Sequence, residues 1–135
     1  MSNKPAARRI LEDEISNANF AITEELVHPD FYDHTNPPEL AKGIAGHQGI
    51  IRVFKAAFPD LKWTVDDILE DGDKVVVRTT ANATHNGDFF GVPATGRHVC
   101  FSGVHIMRFQ DGKLIEHWGS NDDLGLFRQL GVVNV

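Results

Sequence analysis

The sequence predicts an α+β fold, and three features of it point there. Apolar residues recur at helical spacing as far as Phe58, alternation takes over from Lys62, and the turns Asp71-Gly72-Asp73 and Asp111-Gly112-Lys113 join alternating stretches as hairpins. From Pro5 to about Asn17, Ile10, Leu11 and Ile15 fall near one face among Arg, Glu and Asp, an amphipathic helix with proline in its first turn. Phe20 to Val27 continues helical until His28-Pro29, because the residue before proline is steered away from the helical region. Phe31 to Asn36 is expected as a short extended piece or loop. A third helix, Gly46 to Phe58, carries Ile50, Ile51, Phe54, Ala57 and Phe58 at helical spacing and stops at Pro59-Asp60.

The strands follow. Lys62 to Glu70 alternates with Trp63, Val65 and Leu69 on one parity, and Lys74 to His85 is a long strand rich in Val and Thr. Asn86-Gly87 opens a turn, Phe89 to Arg97 is a loop, and His98 to Gln110 and Leu114 to Asn121 form the second hairpin. Asp122 is placed to cap a short last helix through Leu130, with Gly131 to stop it. The expected order is three helices, four antiparallel strands in hairpin succession and a closing helix. A curved sheet wrapped around helices would enclose a conical cavity, a common place for a ligand.

At 135 residues the chain has the length of one domain spanning 1–135. Thirteen basic against nineteen acidic residues give a net charge of −6, which argues against nucleic acid or an anionic membrane as partner. Lys4, Arg8 and Arg9 form the one basic cluster, too small to act as an arm. The single cysteine, Cys100, excludes an internal disulfide and fits a reducing, cytoplasmic setting. The N-terminal stretch has no apolar core of a signal peptide, and no apolar run approaches a membrane span.

The strand His98 to Gln110 is the most informative for chemistry. Side chains alternate across a sheet, so His105 shares a face with Phe101, Met107 and Phe109. It is either a core histidine bonded to a neighbour or the polar group of an apolar pocket, able to exchange a proton with a carbonyl compound. Counting across the hairpin puts Trp118 on the same face, as a core aromatic or a pocket wall. Phe54, Phe58, Phe89 and Phe101 are the further candidates for that wall, and Phe89 with Phe90 could instead plug the core or form a lid. Asp122 and Asp123 are helix-start carboxylates, or one of them is a base raised by burial beside a histidine. The seven histidines show no H-E-x-x-H and no tight Cys/His pair, so no metal or other cofactor is expected. "GVPATGRH" lacks the lysine and hydroxyl of a phosphate loop, and no nucleophile motif is present.

Taken together, "FPDLKWTVDDILEDGDKVVVR", "THNGDFFGVPATGRHV", "GVHIMRFQDGKLIEHW" and "RQLG", in this order, resemble the SnoaL-like polyketide cyclase family of the NTF2-like superfamily. The resemblance runs from "HPDFYDH" to Gly131. It implies a cone of helices closed by a curved antiparallel sheet, often a homodimer through the outer face of that sheet. It also implies an intramolecular aldol condensation on a polyketide methyl ester, without cofactor or metal. Matched on "VHIMRFQDGK", the family's pocket histidine falls on His105, and its acid/base aspartate falls on Gly119. A polar pocket residue of the cyclases falls on Asp33, with His34 beside it. Asp122, Asp33 or His34 could replace the missing carboxylate.

The functional reading is therefore a cofactor-independent cyclase or isomerase acting on a small apolar carbonyl compound. His105 and Asp122 or His34 would be its acid/base groups, and Asp33, Trp118 and the phenylalanines its binding wall. Two alternatives stand beside it. One is a binding protein that holds a hydrophobic molecule unchanged. The other is an epoxide hydrolase built on a carboxylate–guanidinium relay, for which Arg78 is the available arginine. A ketosteroid-isomerase-like site would need a tyrosine donor, and Tyr32 is the single candidate.

Overall fold

A computed structural model describes residues 1–135. Helix α1 (Lys4–Arg9) runs on into a π-helical segment, Ile10–Ile15, and is followed by α2 (Phe20–Leu26). The order then is β1 (Val27–Asp33), a short 3-10 turn at Pro38–Leu40, α3 (Gly43–Ala57), β2 (Lys62–Asp71), β3 (Lys74–Thr84), β4 (His98–Gln110), β5 (Lys113–Asn121) and α4 (Asp123–Leu130). The strands make one five-stranded sheet in the order β1-β5-β4-β3-β2. No helix is long and apolar enough to cross a membrane.

The expected hairpins β2–β3 and β4–β5 form, with Gly72 and Gly112 at positive φ in their turns. The sequence-based count of four strands is one short. Val27–Asp33, expected as a helix end followed by a short extended piece or loop, is a fifth strand that pairs parallel with β5. Pro29 disguised it, because a proline cannot donate to a ladder and is tolerated at a sheet edge, which is where β1 lies. The strand earns its place through Val27, Phe31 and Asp33, the three residues it buries.

Two β-bulges bend the antiparallel part of the sheet. In β2, Val65 pairs with Thr79 but Asp67 with Arg78, leaving Asp66 as an extra residue. In β5, Leu114 pairs with Phe109 but Glu116 with Arg108, leaving Ile115 as the extra residue. Each such residue sharpens the local bend and switches which face later side chains take. The concave side holds two apolar clusters. Ile10, Leu26, Phe31, Val77 and Met107 belong to the first, and Phe58, Trp63, Phe89, Phe101 and Leu126 to the second. Full burial of side chains of this size contributes about 2 kcal/mol each.

The last helix starts as expected. The Asp122 carboxylate accepts from the Gly125 N–H at 2.9 Å, and Gly131 closes the helix at φ +81°. Asp122→Ala is expected to cost about 1 kcal/mol of stability and to leave ligand binding unchanged; thermal unfolding and titration of the same variant check both halves.

Candidate active site

Between the two clusters lies a cavity of about 260 Å³, walled mostly by apolar side chains from both. Of the polar exceptions, Asp33, His105, His117 and Asn121 gather on the sheet side. His105 lies at the middle of β4, and its parity turns it inward, where only 6% of it is exposed. His117 of β5 and Asp33 of β1 are register partners across the parallel pair. The three form one chain of hydrogen bonds. The Asp33 Oδ2 to His117 Nδ1 distance is 2.8 Å, and His117 Nε2 to His105 Nδ1 is 2.9 Å. Asp33 Oδ1 also accepts from the Thr35 and Asn36 amides at 2.9 and 3.3 Å.

Burial alone would raise the Asp33 carboxyl, but the His117 contact and the two amides outweigh it and hold it below its ordinary value. Burial, and then the neighbouring His117, push the His105 imidazole down to about 3, against smaller opposing effects of Asp33 and Asn121. An ionised Asp33 only accepts, so His117 donates to it from Nδ1. In the tautomer in which His117 accepts at Nε2, His105 donates from Nδ1 and carries its lone pair on Nε2. That atom is buried without a partner, as is Asn121 Oδ1. Both lie close to the space above Gly103, where a Cβ would stand 3.1 Å from His105 Nε2 and 2.2 Å from Asn121 Oδ1.

Gly119 faces His105 across the sheet and is bracketed by Thr35, whose hydroxyl oxygen accepts from the Gly119 N–H at 2.6 Å. The position is not an empty slot. A Cβ there would stand 2.7 Å from His105 Nδ1 and 2.9 Å from His117 Cε1, so the paired rings occupy the room a side chain would need.

Several of the expected site residues lie elsewhere. Trp118 pairs with Ile106, not with His105, and faces outward, because Ile115 switches the parity of β5. His34 is also on the outer face, stacked on Trp118 at 4.7 Å and bonded to Glu116 at 2.8 Å. Phe58 and Phe101 are core residues behind the wall; Phe101 meets the edge of Trp63 at 5.6 Å. Asp122 is spent on the helix cap, while its neighbour Asp123 lines the cavity. Burial, and then Asp122, push the Asp123 carboxyl up. Arg78 is exposed and paired with Asp67, so the guanidinium of an epoxide-hydrolase relay is not in the cavity.

His105, Asp33, Phe54 and Phe89 do line the cavity. Trp63, Asn121, His117 and His47 join them without having been singled out from the sequence. His117 was the recoverable one: it lies nearly as far after the Asp111-Gly112 turn as His105 lies before it, so a single bulge makes them neighbours.

Comparison with known proteins agrees with this architecture. The family described as SnoaL-like polyketide cyclase matches residues 6–130, and the chain belongs to it. It is 32% identical over 112 residues to the aklanonic acid methyl ester cyclase DauD of Streptomyces sp. (strain C5), covering 82% of this chain and 67% of that protein. It is 31% identical over 115 residues to the nogalonic acid methyl ester cyclase of Streptomyces nogalater, covering 80% and 82%. Among solved structures, TsrD from Streptomyces laurentii superposes with a TM-score of 0.84 at 29% identity, covering 97% of this chain and 93% of that one. IdmH from Streptomyces antibioticus does so at 0.84 and 30%, covering 98% and 100%. The fold is thus the NTF2-like cone, N-terminal helices held in a curved sheet.

Proposed function

We propose that the protein is a cofactor-independent acid/base enzyme of cyclase or isomerase type, acting on an apolar carbonyl compound in this cavity. The observation that carries the reading is the chain Asp33–His117–His105, ending in a buried, unpartnered nitrogen of a residue that lines the cavity. His105 Nε2 takes a proton from carbon next to a substrate carbonyl, leaving an enolate. His105 passes its Nδ1 proton to His117 Nε2, so the positive charge comes to rest on His117, against the Asp33 carboxylate. The new Nε2–H of His105 then faces Asn121 Oδ1, and both unpartnered atoms gain a use. A relay that ends in an ion pair accepts a proton more readily than an isolated, desolvated imidazole would. The enolate carbon adds to a second carbonyl in a cyclase or is reprotonated in an isomerase, and the proton returns by the same path. The apolar walls hold the chain folded for that step.

The methyl ester cyclases among the relatives support a polyketide-like substrate. The test is proton exchange on a simple ketone. In deuterated buffer the protein is expected to accelerate α-hydrogen exchange of 2-tetralone, followed by proton NMR. If 2-tetralone binds but exchanges no faster than in buffer alone, the cavity is that of a binding protein and the enzyme reading falls.

A further inference from the structure

The relay leaves unused a second polar group on the opposite, helical wall. His47 of α3 is 4% exposed and lines the cavity, its ring meeting the edge of Phe31 at 5.2 Å. Its Nε2 lies 2.8 Å from Oε1 of Glu14, a residue of the π-helical segment with no exposed surface at all. The other carboxylate oxygen, Oε2, accepts from the Thr23 hydroxyl. His47 is the one basic group paired with Glu14. Burial disfavours a net charge, and a carboxyl–imidazole pair without one carries a hydrogen on the far ring nitrogen, Nδ1, whichever partner holds the proton between them. The contact with Glu14 is the one hydrogen bond of the ring, which leaves Nδ1 unpartnered on a ring that lines the cavity.

From this arrangement we infer that His47, held by Glu14, is a substrate-binding residue that donates Nδ1–H to a carbonyl or carboxylate oxygen of the ligand, on the wall facing the His105 relay. The cavity thus takes a compound with polar groups on two sides of an apolar body. The inference rests on the carbonyl-compound reading above, and it concerns binding rather than turnover.

The matched probes are 1-indanone and indane, alike in shape and differing in one carbonyl. Titration calorimetry is expected to show the ketone binding roughly tenfold more tightly, the size of one hydrogen bond. His47→Gln keeps a donor for Glu14 at the Nε2 position and removes Nδ1. It is expected to abolish the preference while leaving indane affinity unchanged, so indane reports that the cavity is intact. Glu14→Gln, which removes the carboxyl that holds the ring, is expected to weaken the preference in the same sense. A preference that survives in His47→Gln, or equal binding of the two probes by the unaltered chain, overturns the inference. Failure of both probes to bind overturns the cavity reading with it. Loss of 2-tetralone exchange with the indanone preference retained sinks the enzyme reading alone.

Discussion

Replacing His105 by glutamine is expected to reduce 2-tetralone exchange to the buffer rate and, in the same variant, to flatten the acid limb of the stability profile. The first effect follows from the position of Nε2 at the end of the relay. A placed general base is worth about 10²–10⁴ in rate, and glutamine offers an amide of similar length that cannot accept the proton. The second effect follows from linkage. The folded chain holds His105 at about 3 against an ordinary 6.5, so between those values the unfolded chain binds a proton that the folded chain refuses. Stability from this residue is therefore full above 6.5 and is lost as the pH falls toward 3. The slope is at most about 1.4 kcal/mol per pH unit. Asp33 acts lower, because a carboxyl held below 3.8 contributes stability above that value and loses it as the pH falls through its folded one. Urea unfolding at pH 7 and pH 4.5 separates the two windows. The gap between them is expected to shrink in His105→Gln, and an unchanged gap contradicts the burial of a neutral imidazole.

Gly119→Ala is expected to do nearly as much damage through a single methyl group. Its Cβ would stand 2.7 Å from His105 Nδ1, inside the hydrogen bond that joins the two rings. The rings must part, which removes the relay and costs about 1–3 kcal/mol of overpacking. Gly119→Asp is expected to fare no better, although the resemblance to the cyclases places their acid/base aspartate at this position. Exchange of 2-tetralone and the melting temperature measure both variants. Restoration of activity by the aspartate would show that the family's carboxylate, rather than the histidine pair, fits this cavity.

Much of this site is legible in the sequence. The parity of β4 places His105 among Phe101, Met107 and Phe109 on the buried face, and Asp122 with Gly131 frames α4. The misplacements on β5 share one cause. Sequence parity carries across a hairpin only while the two strands advance in step, and Ile115 breaks the step. The count that set Trp118 opposite His105 therefore set an outer-face residue inside, and it hid His117. Asp33 was hard to read for a different reason. Its partner is reached by a parallel pairing 84 residues apart, which no local pattern encodes. The buried Glu14 likewise reads as one more charge on an amphipathic helix until Thr23 and His47 are seen to satisfy it.

Ile115 has one more consequence. In β5 the cavity receives Leu114, and then His117, Gly119 and Asn121. Were Ile115 paired with Arg108 instead, the strand would count without interruption, and Glu116, Trp118 and Ser120 would turn inward opposite Met107, His105 and Gly103. The lining of the cavity wall is thus set by a reading frame as much as by residue identity. Straightening that one bulge would exchange the inner surface of the strand, where substitutions would need to change three or four positions in concert.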